Sequence, residues 1–504
     1  MNKSEMNKSE KTNIWTEKRT IVAMALSLLA LAQILDSTIV AVALSHIMGA
    51  MGANTDEASW ILTSYIIAAA ICMPLGGMVA KKFGRKRVLL LSCAGFALCS
   101  ALCGISTTLG EIVVFRFLQG ISGAFIPALA QGYVIDNFSE EERPGIMSMY
   151  GTAAVLGPVL GPILGGIITF HLEWPWIFYV NVPVCAVSFF VLSSLMKETK
   201  KISIKVDYTS FIFLAIGIGL IELFLNAGNM YNWFGSRLVT MSLVFGVLFT
   251  TFFLWRAAIG KSVVDFRIFR HRNFALSCFL TMVFSCFIYS IISYLPLMIE
   301  NIYEYQVDTT GFVTSPRGIA AVICMLFVAK ICKKYDAKYV LMCAIGVNIL
   351  ACYLFTCFTP NQSMRYFFPP LILQGVVSTF FFIPIMLAAY YKFPKELSDS
   401  AGGVYSFSKM FGASIGATIG ATMLTRMNQV NWNDLSRNIT PWSNGFRTWM
   451  QSVPEGIDVQ TKFAIIAKTV HKSAVFISYL DLFYYAMIGS IVLLLVPLLY
   501  KKCK

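Results

Sequence analysis

The sequence predicts an all-α polytopic membrane protein with fourteen transmembrane helices. Residues of hydrophobic type make up 57% of the chain and charged residues only 13%, with a mean hydropathy of +0.69; soluble chains carry about 25% charged residues. The apolar residues gather into runs of the roughly 20 residues that a bilayer-spanning helix needs. The basic residues sit in the short segments between those runs, in alternation, as they do when they record membrane orientation. This composition excludes a soluble enzyme, a disordered scaffold and an ordinary nucleic-acid binder.

In chain order the spans read 20–45, 58–80, 88–106, 111–135, 145–170, 176–196, 208–227, 238–258, 274–299, 310–331, 339–358, 365–390, 398–426 and 476–499. The segment before them, 1–19, holds a tandem MNKSE and reads as a basic, solvated tail. The first apolar run is too long for a signal-peptide core and lacks a small-residue cleavage pattern, so it is expected to be a permanent span. With the N-terminus inside, 29 of the 40 Lys and Arg residues fall in inner segments and 8 in outer ones. Six of the outer ones lie in one long loop, 426–474, and long loops weigh little in this rule. Both termini are therefore expected in the cytoplasm, and the net charge of +14 is a record of topology with no polyanion partner behind it.

Thirteen cysteines lie in spans or near the inner side and read as small apolar fillers. Four histidines are scattered through loops without ligand spacing, and neither a nucleophile elbow nor a phosphate-binding loop is present. No metal, cofactor or catalytic residue is expected.

Function is sought in the charges that fall inside spans, which are costly there. The first span holds Asp36, with Gln33 and Ser37 on the same stripe; a buried carboxylate of this kind can load and release protons. The fourth holds Arg116, with Gln119 and two glycines on its face, reading as a cavity wall or helix interface in preference to a snorkelling side chain. The seventh holds Glu222, four residues before Asn226, while Asp207 suits the positive N-terminus of that helix. In the later spans Arg317 and Lys409 either pair with acids or receive an anionic group, and Asp481 caps the last span.

Gly157, Gly161 and Gly165 leave one face of the fifth span bare, which allows close helix approach. Pro158 and Pro162 each remove a backbone donor and favour a bend. The pattern suggests a helix that packs tightly in one state and separates in another. Gly412, Gly416 and Gly420 make a similar seam in the thirteenth span.

These segments carry a family resemblance. GGMVAKKFGRKRVLL (76–90) resembles the cytoplasmic-loop signature of the major facilitator superfamily, VVFRFLQGISGA (113–124) its fourth-span motif and GPVLGPILGG (157–166) its fifth-span antiporter motif. LDSTIVAVAL (35–44) and WPWIFYVNVP (174–183) narrow the likeness to the fourteen-span drug:proton antiporters of the EmrB/QacA type, on the EmrB-like side. The resemblance implies two six-helix bundles, 20–196 and 274–504, joined by a linker, 197–273, with two further transmembrane helices. It implies export of small lipophilic molecules across the bacterial inner membrane, energised by the proton gradient and with no cofactor. It assigns proton coupling to Asp36 and Arg116, the fifth-span hinge to Gly157, Pro158, Gly161 and Pro162, and a cytoplasmic latch to Gly77, Gly84 and Arg85. A periplasmic adaptor and an outer-membrane channel are implied partners, and the 426–474 loop is long enough to meet an adaptor.

Three positions depart from the family pattern. Lys81 replaces the usual loop aspartate, Lys409 replaces an arginine, and Glu222 with Asn226 stands where the family often has Gln and Asp. A dedicated exporter of one metabolite or siderophore would carry the same motifs. A membrane sensor or integral membrane enzyme would need a catalytic cluster or a soluble domain, and the sequence offers neither.

Overall fold

The computed structural model describes residues 3–199, 201, 207–260, 262–440, 442–452 and 458–501. All regular structure among them is helical. The first eight helices are α1 (Lys3–Met51), α2 (Thr55–Cys72), α3 (Gly76–Phe83), α4 (Arg85–Ile105), α5 (Leu109–Asn137), α6 (Arg143–His171), α7 (Trp176–Tyr179) and α8 (Asn181–Leu195). Next come α9 (Tyr208–Ala227) and α10 (Arg237–Ala258), then α11 (Arg272–Tyr303), α12 (Val307–Lys334), α13 (Ala337–Thr356) and α14 (Phe368–Ala389). The chain ends with α15 (Ser398–Arg437), α16 (Asn444–Ser452) and α17 (Val459–Leu493). The side bearing the N-terminus and the 81–87 segment is called the basic face below.

Among the described residues, twelve helical segments are long and apolar enough to cross a membrane, and α6 makes a thirteenth as a bent pair, Arg143–Pro158 and Ile163–His171, at 48°. The bend falls where Pro158 and Pro162 interrupt the backbone ladder; the Pro162 side chain lies outside those described. The fourteenth, α15, is less apolar for a physical reason. Its first half is walled in by protein and buries Ser398, Asp399, Ser400, Gly402, Ser406 and Ser408. A span covered by other helices has little lipid to satisfy.

α1 is helical from Lys3, ahead of the candidate membrane span that begins at Lys18. The region 426–474 is mostly helix, not loop: α15 runs 40 residues, about 60 Å at 1.5 Å per residue, against a hydrocarbon core of about 30 Å. Its end is held to α17 by Asn431, which donates to Asp481 (3.0 Å) and Ser478 (3.1 Å), and by Trp432 against His471. His46, His171 and His471 lie in helices, not loops.

The glycine faces position the helices. On α6, a Cβ at Gly157 or Gly161 would collide with Ile34 or Thr38 of α1, and one at Gly165 would press on Ile39 and Val42. On α15, Gly412 and Gly416 lie against the Met282 and Cys286 carbonyls of α11. Both seams join helices of one bundle, so neither is where the bundles would part. The bundles meet through α6 with α12 and through α5 with α15. The inserted α9 packs on α2 and α15, and α10 behind it turns Leu238, Met241, Val244 and Trp255 outward.

Candidate functional site

Asp36 is wholly buried, at the centre of a polar network drawn from α1, α2, α4, α5 and α8, with α5 and α8 supplying its direct donors. Arg116 Nη1, from α5, donates to its carboxylate at 2.5 Å, Gln119 Nε2 at 3.1 Å, and Asn181 Nδ2, from α8, at 2.7 Å. The i, i+3 spacing of Arg116 and Gln119 puts both on one face of α5, and Arg116 Nη1 also donates to Gln119 Oε1 at 2.7 Å. Arg116 Nε donates to the Ile61 carbonyl of α2 at 3.3 Å, and the guanidinium lies over the Tyr65 ring, 4.5 Å from its centroid. Gln33 donates to the Tyr65 hydroxyl at 2.8 Å, so it joins the network one residue removed. Ser100 of α4 accepts from Asn181 at 3.1 Å. Ser37 turns back to the Ile34 carbonyl and takes no part.

Two buried polar atoms here lack partners among the described residues, Arg116 Nη2 and Asn181 Oδ1. The ion pair is thus almost, but not wholly, satisfied. A proton on Asp36 would remove the charge that answers Arg116 and leave the guanidinium buried without a counter-ion.

The second cluster lies at the basic face. Gly84, at φ +92°, makes the sharp step between α3 and α4 that a residue with a Cβ resists. The step presents the first amides of α4 to Glu198, which accepts from Lys86 N (3.0 Å) and Arg87 N (3.2 Å), a carboxylate on a helix N-terminus. Arg85, 2% exposed, donates through Nε to Asp399 of α15 at 2.8 Å and pairs with Asp136 of α5 through Nη2. Ser398 donates to Asp136 at 2.9 Å. Gly77 lies against Ser400, where any side chain would collide. These contacts tie α3, α4 and α5 to the start of α15, across the two bundles. Lys81, in place of the loop aspartate, pairs instead with Asp265 at 3.8 Å, and the Arg267 guanidinium beside Asp265 holds that carboxyl below the usual range. Likewise Arg256 holds Asp207 low, and Asp207 caps α9 through Ser210 N, the structural role expected of it.

The remaining candidates do not join either cluster. Glu222 is wholly buried at the α9–α15 seam, accepting from Ser414 at 2.6 Å and Asn226 at 3.1 Å, with Oε1 unpartnered. Arg317 and Lys409 have no acidic partner among the described residues; Lys409 lies over the Phe382 ring at 4.5 Å. Asp481 sits inside α17 and caps nothing. Arg116 is fully enclosed, so it does not snorkel.

Sequence reasoning left Asn181, Tyr65 and Ser100 without roles, along with Asp136 and Asp399. Asn181 stood inside the WPWIFYVNVP segment as a lone amide in an apolar span, which was signal enough. Asp136 and Asp399 looked like ordinary span-end charges, and only the tertiary fold shows them facing one arginine.

A model of the Major Facilitator Superfamily matches residues 26–417. The chain is 29% identical over 487 residues to the multidrug export protein EmrB of Escherichia coli strain K12, covering 95% of this chain and 94% of that one. It is 28% identical to the fatty acid resistance protein FarB of Neisseria gonorrhoeae, over 95% of each. Among solved structures, the human organic anion transporter MFSD10 superposes with a TM-score of 0.58 at 14% identity, covering 94% of this chain and 98% of that one. The proton:xylose symporter XylE gives 0.59 at 12%, covering 94% and 96%. The matched span, the helix order and the buried intramembrane charges agree: this multi-pass membrane chain belongs to the Major Facilitator Superfamily and is a transporter, not an enzyme.

Proposed function

We propose that the protein is a proton-coupled exporter of small lipophilic molecules, working by alternating access in a bacterial inner membrane with both termini in the cytoplasm. The observation that carries this reading is the sealed Asp36–Arg116 pair with its ring of amide donors. Breaking such a pair by removing one charge costs about 3–5 kcal/mol, so a proton on Asp36 is a strong lever on helix positions. The Arg85–Asp136–Asp399 latch then holds the cytoplasmic side shut, and substrate or proton binding shifts the balance only by its unequal affinity for the two states. Similarity along the full chain to a multidrug export protein supports the direction of transport.

The projecting ends of α15 and α17, with α16 between them, are assigned to the meeting with a periplasmic adaptor that leads to an outer-membrane channel. Cells carrying Asp36→Asn are expected to lose dye efflux while inserting the protein at wild-type levels. Efflux unchanged in that variant, and still abolished by collapsing the proton gradient, removes Asp36 from the coupling step.

A further inference from the structure

The inserted helix α9 touches both bundles. On one side it packs on α2, where Gly219 lies against Ile67 and Ile71 and Ser59 donates to the Met230 sulfur at 3.4 Å. On the other side it meets α15 through three polar contacts. Ser414 lies 2.6 Å from Glu222, Thr418 donates to the Leu225 carbonyl at 3.1 Å, and Asn229 donates to Thr425 at 3.4 Å. Steps of three, four and seven residues keep each set on one side of its helix. Ser414 to Thr425 covers about 16 Å of α15, in the half remote from the basic face. Nearer that face, Phe407 and Met410 of α15 pack directly on Ala69 and Met73, at the basic end of α2.

The contact at Glu222 suits a neutral side chain. Both of its hydrogen bonds, with Asn226 (3.1 Å) and Ser414, fall on Oε2, while Oε1 is buried with no partner among the described residues. The titratable groups on the surrounding helices are engaged elsewhere or stand at helix ends. On α15, Lys409 lies over the Phe382 ring and Arg426 is exposed farther out. On α10, Arg256 holds Asp207, at the start of α9, and Arg237 is exposed at the remote end. On α2, Tyr65 is engaged by Gln33, Cys72 ends the helix and Glu57 caps its start; the Asp56 side chain lies outside those described. No cation among the described residues is in ion-pair range of Glu222. As a carboxylate it would bury an unanswered charge, with one oxygen bare, which is costly. As the neutral acid it needs less. A proton on Oε2 donates to Ser414 Oγ, 2.6 Å being ordinary for O–H···O, and Oε1 is left a plain carbonyl.

We propose that α9 is a strap across the seam between the bundles, and that Glu222, held as the neutral acid, is its buckle. Ionisation breaks the O–H bond at Oε2 and passes the proton to water at the remote face, where Asn229 is exposed. The charge left behind favours hydration over the dry seam, and α9 parts from α15. The strap is therefore held at low pH and released as pH rises. A helix that touches both bundles cannot keep both contacts when they rock, so the proton on Glu222 decides which one yields. This device goes beyond the Asp36 reading and does not depend on it.

The test uses the full-length protein in lipid nanodiscs, with nitroxide labels at Asn229→Cys and Thr425→Cys in a cysteine-free background. Dipolar broadening between the labels reads the α9–α15 spacing, with the Glu222 and Thr418 contacts intact. With Glu222 present, the spectrum is expected to be broad at acidic pH and to narrow as pH rises. Glu222→Gln, neutral and nearly isosteric, should stay broad at every pH. Ser414→Ala, which removes the acceptor for the acid proton, should narrow the spectrum already at acidic pH. The infrared difference between wild type and Glu222→Gln at acidic pH should contain the C=O stretch of a protonated carboxyl. A spacing that ignores pH with Glu222 present overturns the proposal, as does the same pH response in Glu222→Gln. So do an unaltered spectrum in Ser414→Ala, or an infrared difference holding only carboxylate bands. Asp36→Asn reads the coupling function separately and should lose dye efflux while keeping the label response. Loss of that response in Asp36→Asn makes the strap answer to Asp36 and removes Glu222 as its buckle. Efflux that persists there, with the response intact, removes Asp36 from coupling and leaves the strap standing.

Discussion

At the scale of single residues, Asp36 is defined by its company: the carboxylate sits among Arg116, Gln119 and Asn181, and each donor comes at a cost if it is left idle. Asn181→Ala is therefore expected to leave the fold intact and to weaken coupling. Measured as the pH dependence of efflux, its profile should move relative to wild type, whereas a purely structural asparagine would lower activity equally at every pH. Asp36, Arg116 and Gln119 were legible in the sequence because a charge inside an apolar run is conspicuous, and helical spacing fixes which neighbours share its face. The pairing of Asp36 with Arg116, 80 positions apart, was not, since nothing local in either segment specifies the other. Glu222 shows a mixed case: its donor Asn226 lies one turn away and was visible in the sequence, whereas its other donor, Ser414, is a small hydroxyl that no pattern singles out.

At the scale of elements, glycine decides which helices touch. Gly161→Val puts branched carbons where Thr38 of α1 lies, and overpacking of this sort costs about 1–3 kcal/mol. The variant is expected to show a lower apparent Tm, partly restored by Thr38→Ala; an unchanged Tm would mean that α1 and α6 are not packed as described. The repeat of small residues was plain in the sequence, but its partner was not. In this structure the bare face of α6 packs against α1 of the same bundle, and α12 of the other bundle also contacts α6. The latch was legible in half. Gly77, Gly84 and Arg85 stood out as a motif, and the acids that complete it arrive from α5 and α15. In Arg85→Gln, a cysteine introduced at Ser406 in a cysteine-free background should react faster with a water-soluble maleimide. Ser406 is buried beside Gln131 under that latch. No change in rate would separate Arg85 from closure of the basic face.

At the scale of the whole molecule, hydropathy located nearly every span, and it is weakest where protein replaces lipid. The first half of α15 is small and polar because other helices cover it. The same helix outruns the bilayer, as does α17, which turned an expected loop into a helical projection. Removing residues 438–458 is expected to leave insertion and thermal stability unchanged and to abolish copurification with the proposed periplasmic adaptor; retained copurification places that proposed contact elsewhere. The basic residues, 29 of 40 on one side in the expected topology, report orientation, and the few charges inside report work. We propose that transport is coupled to a proton carried by Asp36. It is tested most directly by recording proton movement with a pH-sensitive dye inside proteoliposomes when an exported lipophilic dye is added. The wild type should move protons against the substrate flux, and Asp36→Asn should bind the same dye and move none. Substrate-driven proton movement at the wild-type rate in Asp36→Asn would contradict the account.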